Sequence, residues 1–546
     1  MSESPQPSAH DRLGPPRQVD AVVVGAGLAG LYMLHRLREV GVSVQGYEAG
    51  TGVGGTWFWN RYPGARCDVE SMHYSYSFSK ELEQEWHWTE RYPTQPEILR
   101  YINHVADRFD LRRSVQFDTR VVSAVFDEGV NRWAVTTDKG DQVSARFCIM
   151  ASGCLSAAKT PEVDGLDRFQ GTWYHTGHWP HEGVDLTGQR IGVVGTGSSG
   201  IQSIPIFAEQ ASHLTVFQRT PNFSLPARNA PLDPDVQAAI KADYPDLRQQ
   251  ARESIAGIPG PRPTKVAAAD TPEERLSNYE ARWMIGSLGA VVGAYTDLLT
   301  NKEANDTAAD FVRSKIREIV DDPEVAETLC PTDHPLGTKR PCLDTNYYAT
   351  YNRDNVTLVD VRKSPIVEIT PTGIRTADAE YEFDSIVFAT GFDAMTGALL
   401  SVDIRGKSGQ ALKEKWAAGP RTYLGLATAG FPNLFIITGP GSPSVLSNMI
   451  VSIEQHVEWI ADCIAFLRDR DVSSIEATVD AEDAWVTHVQ EMGNHTLYPM
   501  ANSWYMGANV PGKPRVFMPY IGGVGSYRKK CDEVAANDYE GFSLTP

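Results

Sequence analysis

Two glycine-rich turns, Gly25-Ala26-Gly27-Leu28-Ala29-Gly30 and Gly195-Thr196-Gly197-Ser198-Ser199-Gly200, constrain this chain more than any other feature. Asp20 to Val24 before the first turn reads as a buried parallel strand. Leu28 to Val40 after it has helical spacing, with Leu31, Leu34 and Leu37 on one face. Val42 to Tyr47 is a second strand, and Glu48 ends it. This is a βαβ dinucleotide-binding pattern. The glycines permit a tight turn and close approach of a pyrophosphate, the helix N-terminus faces the phosphates, and the acid bonds ribose hydroxyls. The second unit repeats the pattern with Arg190 to Val194, a helix from Ser199, and Leu214 to Phe217, but it ends in Gln218-Arg219-Thr220. An acid there would repel a 2′-phosphate, whereas Arg219 can pair with one. A solvated surface arginine would look the same. Gly25, Gly27, Gly30 and Glu48 are therefore expected at an FAD site, and Gly195, Gly197, Gly200 and Arg219 at an NADPH site. The fold class expected is α/β, with two Rossmann-like dinucleotide-binding domains and a helical insertion.

The insertion is residues 225–332. They lack βα alternation, carry a Pro cluster from Pro259 to Pro263, and read as charged helices over Pro272 to Leu288 and Asn305 to Val320. Phe147 to Gly153 and Ile386 to Gly391 are strands ending in small-residue turns, and both read as crossovers between the nucleotide units. The expected division is a flexible tail at 1–18, an FAD-binding domain at 19–153 and 386–546, and an NADPH-binding domain at 154–224 and 333–385, with the insertion belonging to the latter. The length of 546 residues is ample for these parts. A formal net charge of −19 argues against nucleic acid or an anionic membrane as partner. The seven cysteines form no Cys-x-x-Cys pair, which suits reduced thiols in a cytoplasm. No secretory signal or membrane-spanning run is read, and oligomeric state is not legible.

Three further stretches carry candidate chemistry. Gly54 to Asp68 follows the first nucleotide unit and is expected against the flavin, with Gly55 in its opening turn and Trp57, Trp59 and Tyr62 as flat surfaces. Asp68 would be a carboxylate in a dry place needing a partner, or a turn residue. Lys339-Arg340 follows a Gly-Thr turn. A loop arginine can rotate into a site and stabilise an anion, although a surface pair reads alike. His175 lies between the two glycine motifs, as a hinge group or a satisfied structural histidine. His175, His178 and His181 recur every three residues, but the neighbouring Trp179 and Pro180 argue for a loop rather than a metal site. Gly439 to Leu446 and Ser503 to Tyr505 are candidate shaped or mobile loops facing substrate.

The run Phe169-x-Gly171-x-x-x-His175-x-x-x-Trp179-Pro180 resembles the fingerprint of type I Baeyer–Villiger monooxygenases, and Gly54-Gly55-x-Trp57 through Tyr62-Pro63-Gly64 to Asp68 resembles a second signature of that family. Phrases such as Thr422 to Asn433 and Ser503 to Arg515 resemble its phenylacetone and steroid monooxygenase branch. Pro341-Cys342-Leu343 is more like the cyclohexanone-type enzymes. The resemblance implies FAD reduced by NADPH, O2 as co-substrate, a C4a-peroxyflavin and a tetrahedral adduct, and conversion of a ketone to an ester or lactone. It implies catalytic roles for Arg340 (anion stabilisation), Asp68 (orienting Arg340 beside the flavin) and His175 (coupling domain movement). It places Arg219, Thr220 and Lys339 on the 2′-phosphate. The ketone pocket would be lined by Val69, Cys154, Leu155, Leu446, Met449 and Trp504, and no metal is implied. A flavin N- or S-monooxygenase and an uncoupled NADPH oxidase stand as alternatives.

Overall fold

The first glycine turn joins the strand Arg17–Val24 to the helix Leu28–Glu39, and the strand Val44–Tyr47 returns beside it in parallel. The structure is a computed structural model that describes residues 17–159 and 161–546. The expected tail falls outside these residues except for Arg17 and Gln18, which open the first strand. On its other side Arg17–Val24 pairs in parallel with Gln142–Met150, so it is interior and buried on both faces. An antiparallel meander through Val121–Asp127 and Arg132–Thr137 leads into Gln142–Met150. From the C-terminal part, Asp403–Arg405 and Leu434–Ile436 join the same sheet, which has eight strands.

The second sheet has five parallel strands in the order Val356–Asp360, His213–Gln218, Arg190–Val194, Ser385–Phe388, Thr172–His175. Two expectations change here. Ile386 to Phe388, assigned to the first domain, lies inside the second sheet, with Phe388 opposite both Val194 and His175. A short apolar run suits a buried strand of either sheet, and only long-range pairing decides between them. The chain leaves the second unit after Phe388. There the two crossovers run side by side, with Lys159 N donating to Gly391 O at 3.0 Å, Asp393 N to Ala157 O at 2.9 Å and Met395 N to Cys154 O at 2.8 Å.

The insertion does not belong to one unit. Its helices Pro234–Ala242 and Tyr244–Glu253 pack on the first. Lys241 Nζ donates to Gln84 O at 2.8 Å, Tyr244 OH to Met72 O at 3.0 Å, and Arg248 pairs with Glu83 at 2.8 Å. Its helices Pro272–Ile285 and Lys302–Ile319 instead bury Tyr279, Trp283, Phe311 and Val312 against Phe223, Leu225 and Leu343. Local chemistry sets their ends. Thr271 and Glu274 form a reciprocal cap at the first, Gly286 with φ 66° stops it, and the Asn301 side chain caps the second.

Candidate active site

The first nucleotide turn is a close-packed glycine cradle. Gly25 has φ 107°, and a Cβ there would lie 2.5 Å from Ala151 O. A Cβ on Gly30 would lie 1.9 Å from Gly25 O. A Cβ on Gly55 would come within 2.9 Å of Gly27 Cα, so the Gly54-Gly55 turn lies directly on the loop, tied by Gly54 N to Ala26 O at 3.0 Å. The helix that follows has no side-chain cap and no acid in its first turn, which leaves its N–H groups for an anion. Glu48 is buried. One carboxylate oxygen accepts from Ala26 N and the other from Gly50 N, each at 2.7 Å. Burial raises its pKa, and these backbone bonds oppose the rise. Each oxygen retains a lone pair for a ribose hydroxyl, so the residues fit the dinucleotide end of FAD.

The second turn repeats this, with one instructive difference. A Cβ on Gly195, φ 112°, would meet Ala389 O at 2.6 Å, and one on Gly200 would meet Gly195 O at 2.3 Å. A Cβ on Gly197 would meet nothing within 4 Å. Gly195 and Gly200 therefore serve the fold, and Gly197 leaves open the face that a phosphate must approach. The helix Ser198–Gln210 is likewise uncapped by side chains and free of acids in its first turn. Arg219 is exposed and makes no ion pair among the described residues. Thr196 Oγ1 donates to Thr220 O at 3.2 Å. Burial lowers the pKa of Lys339; Asp333 works against that, and the positive charge of Arg219 adds to it. Arg219, Thr220 and Lys339 thus gather at the end of His213–Gln218, and they fit a 2′-phosphate.

Arg340 and Asp68 meet across the whole chain. Nε donates to Oδ2 at 2.7 Å and Nη2 to Oδ1 at 2.9 Å, a bidentate pair 272 positions apart in sequence. Asp68 comes from the first unit. Arg340 precedes the strand Cys342–Asp344, and its own carbonyl is held by Asn222 Nδ2 at 2.9 Å. Nη1 donates to Val445 O at 2.8 Å, so the loop Gly439 to Leu446 provides the third support. Burial works against the guanidinium charge, but Asp68 and then Tyr505 hold the Arg340 pKa well above its ordinary value. Tyr505 is fully buried and its own pKa is raised by that burial, with Arg340 opposing.

Beside this pair, Cys154, Leu155, Leu446, Met449 and Trp504 fall in one apolar cluster with Met395, Val445, Tyr505 and Met506. Val69 follows Asp68 directly but packs in the core of the first unit instead. Trp57 is buried, donating Nε1 to Tyr74 OH at 3.1 Å. Tyr62 does not join it: its OH donates to Gln202 Oε1 at 2.8 Å, and its ring packs on the second core. The Gly54 to Asp68 segment therefore spans from the first glycine loop to the second helix.

His175 ends the edge strand of the second sheet and is 5% exposed. Its Nδ1 accepts from Gly177 N at 3.0 Å, and its Nε2 lies 3.1 Å from Thr390 Oγ1. Thr390 spends its proton on Lys159 O at 2.9 Å, so His175 carries its proton on Nε2 and donates it. Burial lowers its pKa to about 4, so it is neutral at pH 7. The surrounding pattern has packing reasons: Trp179 stacks on Phe207 at 5.8 Å, and a Cβ on Gly171 would lie 2.5 Å from Asp384 O. The sequence carries no signal for Lys159, and it marks Thr390 and Val445 only as members of a crossover turn and a candidate loop, because Lys159 and Val445 act through backbone carbonyls and Thr390 as a second partner. Tyr505 was noticed only as part of an aromatic loop. Among the described residues no group of three or more His, Cys, Asp or Glu is placed to hold a metal ion, and no helix is long and apolar enough to cross a membrane.

Residues 22–258 match the family described as pyridine nucleotide-disulphide oxidoreductase. The chain has no Cys-x-x-Cys pair, the spacing of a redox dithiol. A protein of Pseudooceanicola batsensis named Baeyer-Villiger monooxygenase is 47% identical, covering 95% of each chain. The chain belongs to the Baeyer–Villiger monooxygenase family. A solved structure of oxidised steroid monooxygenase bound to NADP is 57% identical, with a TM-score of 0.93 over 97% of this chain and 99% of that one. Phenazine N-monooxygenase PhzNO1 of Lysobacter antibioticus is 43% identical over 96% of this chain and 97% of its own. As a Baeyer–Villiger monooxygenase the chain is an NADPH-dependent flavoprotein with FAD as its prosthetic group, and both glycine cradles fit these two groups.

Proposed function

We propose that this Baeyer–Villiger monooxygenase converts a largely apolar ketone to the corresponding ester or lactone. The observation that carries this reading is the Arg340–Asp68 pair, backed by Tyr505 and opening on the apolar cluster of Cys154, Leu155, Leu446 and Trp504. FAD would be held by Gly25, Gly27, Gly30, Glu48 and Gly55, with Trp57 and Asp68 beside its ring. NADPH would be held by Gly195, Gly197, Gly200, Arg219, Thr220 and Lys339. Reduced by NADPH, FAD supplies the chemistry that activates O2. The chain's own part is to hold a fixed positive charge where negative charge develops on oxygen. Arg340 does this from a site where its charge is stabilised in advance, and Asp68 keeps the planar fork in one orientation. The apolar walls exclude water and hold the ketone. His175, Thr390 and Lys159 O tie the edge strand of the second unit to the paired crossovers, which suits a joint that transmits dinucleotide binding. Seven free, buried thiols favour a reducing compartment such as the cytoplasm.

Identity to a phenazine N-monooxygenase favours a second reading, oxidation of an aromatic ring nitrogen. The deciding experiment is aerobic incubation with FAD, NADPH and a panel of aryl, cyclic and steroid ketones plus one aromatic N-heterocycle, with products read by mass. An ester or lactone one oxygen heavier than its ketone is the expected result. An N-oxide with no ester selects the second reading, and hydrogen peroxide alone against every substrate overturns both. Arg340→Ala is expected to keep anaerobic flavin bleaching by NADPH while ester formation falls about 100- to 1,000-fold. A normal ester yield removes Arg340 from the chemistry.

A further inference from the structure

The group of residues assigned to the 2′-phosphate already has an anion beside it. Asp333 lies in the loop that leads to Lys339-Arg340. Its Oδ2 is 3.6 Å from Lys339 Nζ, and its Oδ1 is 2.7 Å from His334 Nδ1. The His334 side chain is 0% exposed and packs edge-on against Phe223 at 5.4 Å. A carboxylate at that distance only accepts, so His334 carries its proton on Nδ1 and donates it to Asp333. His334 Nε2 has no partner among the described residues. The buried ring holds Oδ1 of the carboxylate, whose side chain is itself 41% exposed, while Oδ2 faces Lys339. Burial would raise the Asp333 pKa, but the His334 hydrogen bond and then the Lys339 charge bring it to about 2. The carboxylate is ionised wherever the enzyme works. Arg362, the next cation, also faces Asp333 but is taken up by Asp360 at 3.1 Å.

We propose that Asp333 is a specificity-determining residue, which competes with the 2′-phosphate for Lys339 and limits the preference for NADPH over NADH. The proposal rests on the assignment of Arg219, Thr220 and Lys339 to that phosphate. The physical reason is Coulombic. A phosphate brought to Lys339 meets a carboxylate tethered by its hydrogen bond to the buried His334 ring, and Lys339 must divide its charge between them. A free surface aspartate would rotate out and matter little.

The test is calorimetric binding of adenosine 2′,5′-bisphosphate and of 5′-AMP to the FAD-loaded protein. Asp333→Asn is expected to bind the bisphosphate about 3- to 10-fold more tightly with 5′-AMP unchanged. The ratio of KM for NADH to KM for NADPH is expected to rise by the same factor. Asp333→Glu keeps the charge and is expected to keep the wild-type ratio, and Asp333→Ser is a second neutral variant should the Asn protein fold poorly. Equal tightening of both nucleotides, no tightening, or weakening of the bisphosphate overturns the proposal. Arg219→Ala, measured alongside, separates the two levels. If it weakens the bisphosphate no more than 5′-AMP, the 2′-phosphate assignment itself has failed. If it weakens the bisphosphate selectively, that assignment stands and the Asp333 variants decide the role of the carboxylate.

Discussion

Arg340 keeps its charge in a place that disfavours charge, and it does so because each of its three guanidinium nitrogens donates to an acceptor, Nε and Nη2 to the Asp68 carboxylate and Nη1 to Val445 O, while the remaining N–H groups stay available to an anion. Other buried groups settle the same conflict by staying neutral. His456 is 0% exposed. Its Nδ1 accepts from Thr438 N at 2.8 Å, and its Nε2 lies 2.8 Å from Tyr527 OH. Tyr527 OH donates to Leu424 O at 2.5 Å, so His456 is the donor to Tyr527. This histidine fixes Thr438, which has φ 55° and begins the loop that reaches Arg340 through Val445. Burial lowers the pKa of His456 to about 3 and that of His73 to about 4. The unfolded chain binds these protons near pH 6.5 and the folded chain does not, so stability falls as pH drops below about 6.5. The loss is about 2 kcal/mol for each of the two at pH 5, and His175 acts with the same sign. Asp344, raised to about 6 by burial, acts the other way and offsets about 1.4 kcal/mol. Thermal unfolding followed from pH 7 to pH 5 is expected to show a falling midpoint, and a flat profile contradicts the neutral-histidine assignment. None of these pKa values is legible in sequence, because each depends on burial and on partners far along the chain.

At the scale of elements, the two glycine turns were the most legible part, and the structure divides the labour within them. Gly200→Ala places a Cβ 2.3 Å from Gly195 O, a backbone atom that cannot step aside. It is expected to lower the melting temperature and the yield of folded protein. Gly197→Ala has space for its Cβ in the protein alone. It is expected to melt like the wild type while NADPH binding weakens at least about 10-fold, since only the phosphate is obstructed. Calorimetry and thermal melts of the two variants check this, and equal stability losses would refute the division. Helices of the insertion were legible as charged segments over Pro272 to Leu288 and Asn305 to Val320; the structure starts the second at Lys302, where the Asn301 side chain caps it. The strand Ser385–Phe388 was legible as a strand but not as a member of the second sheet. Its residues report burial, and burial does not say beside what.

Across the whole molecule, the insertion joins the two nucleotide units. Arg248 is the main weld of its first half. It pairs with Glu83 at 2.8 Å with both side chains 8% exposed, donates to Ser75 Oγ at 2.7 Å, and stacks over Tyr244 at 4.5 Å. Removing one partner leaves an uncompensated buried charge. Arg248→Ala is expected to cost about 3–5 kcal/mol, and the double variant with Glu83→Ala less than the sum of the singles. Denaturant unfolding of the four proteins measures this, and simple additivity would show that the pair does not act as a unit.

The sequence alone determined what is local. A βαβ dinucleotide turn is short, its glycines answer to sterics within a few residues, and an acid or an arginine at the second strand's end selects its nucleotide. The fingerprint around His175 and the Gly54 to Asp68 run were legible for the same reason. Only the tertiary structure decided which distant groups meet. It joined Arg340 to Asp68 and Val445, brought Cys154, Leu446 and Trp504 into one cluster while leaving Val69 in another, turned Tyr62 toward Gln202, and set Asp333 against Lys339. Asp333 and Lys339 lie only six residues apart, and the loop between them brings them together; the other contacts join residues whose separation along the chain carries no periodic trace, and their energies come from burial that exists only once the chain has folded.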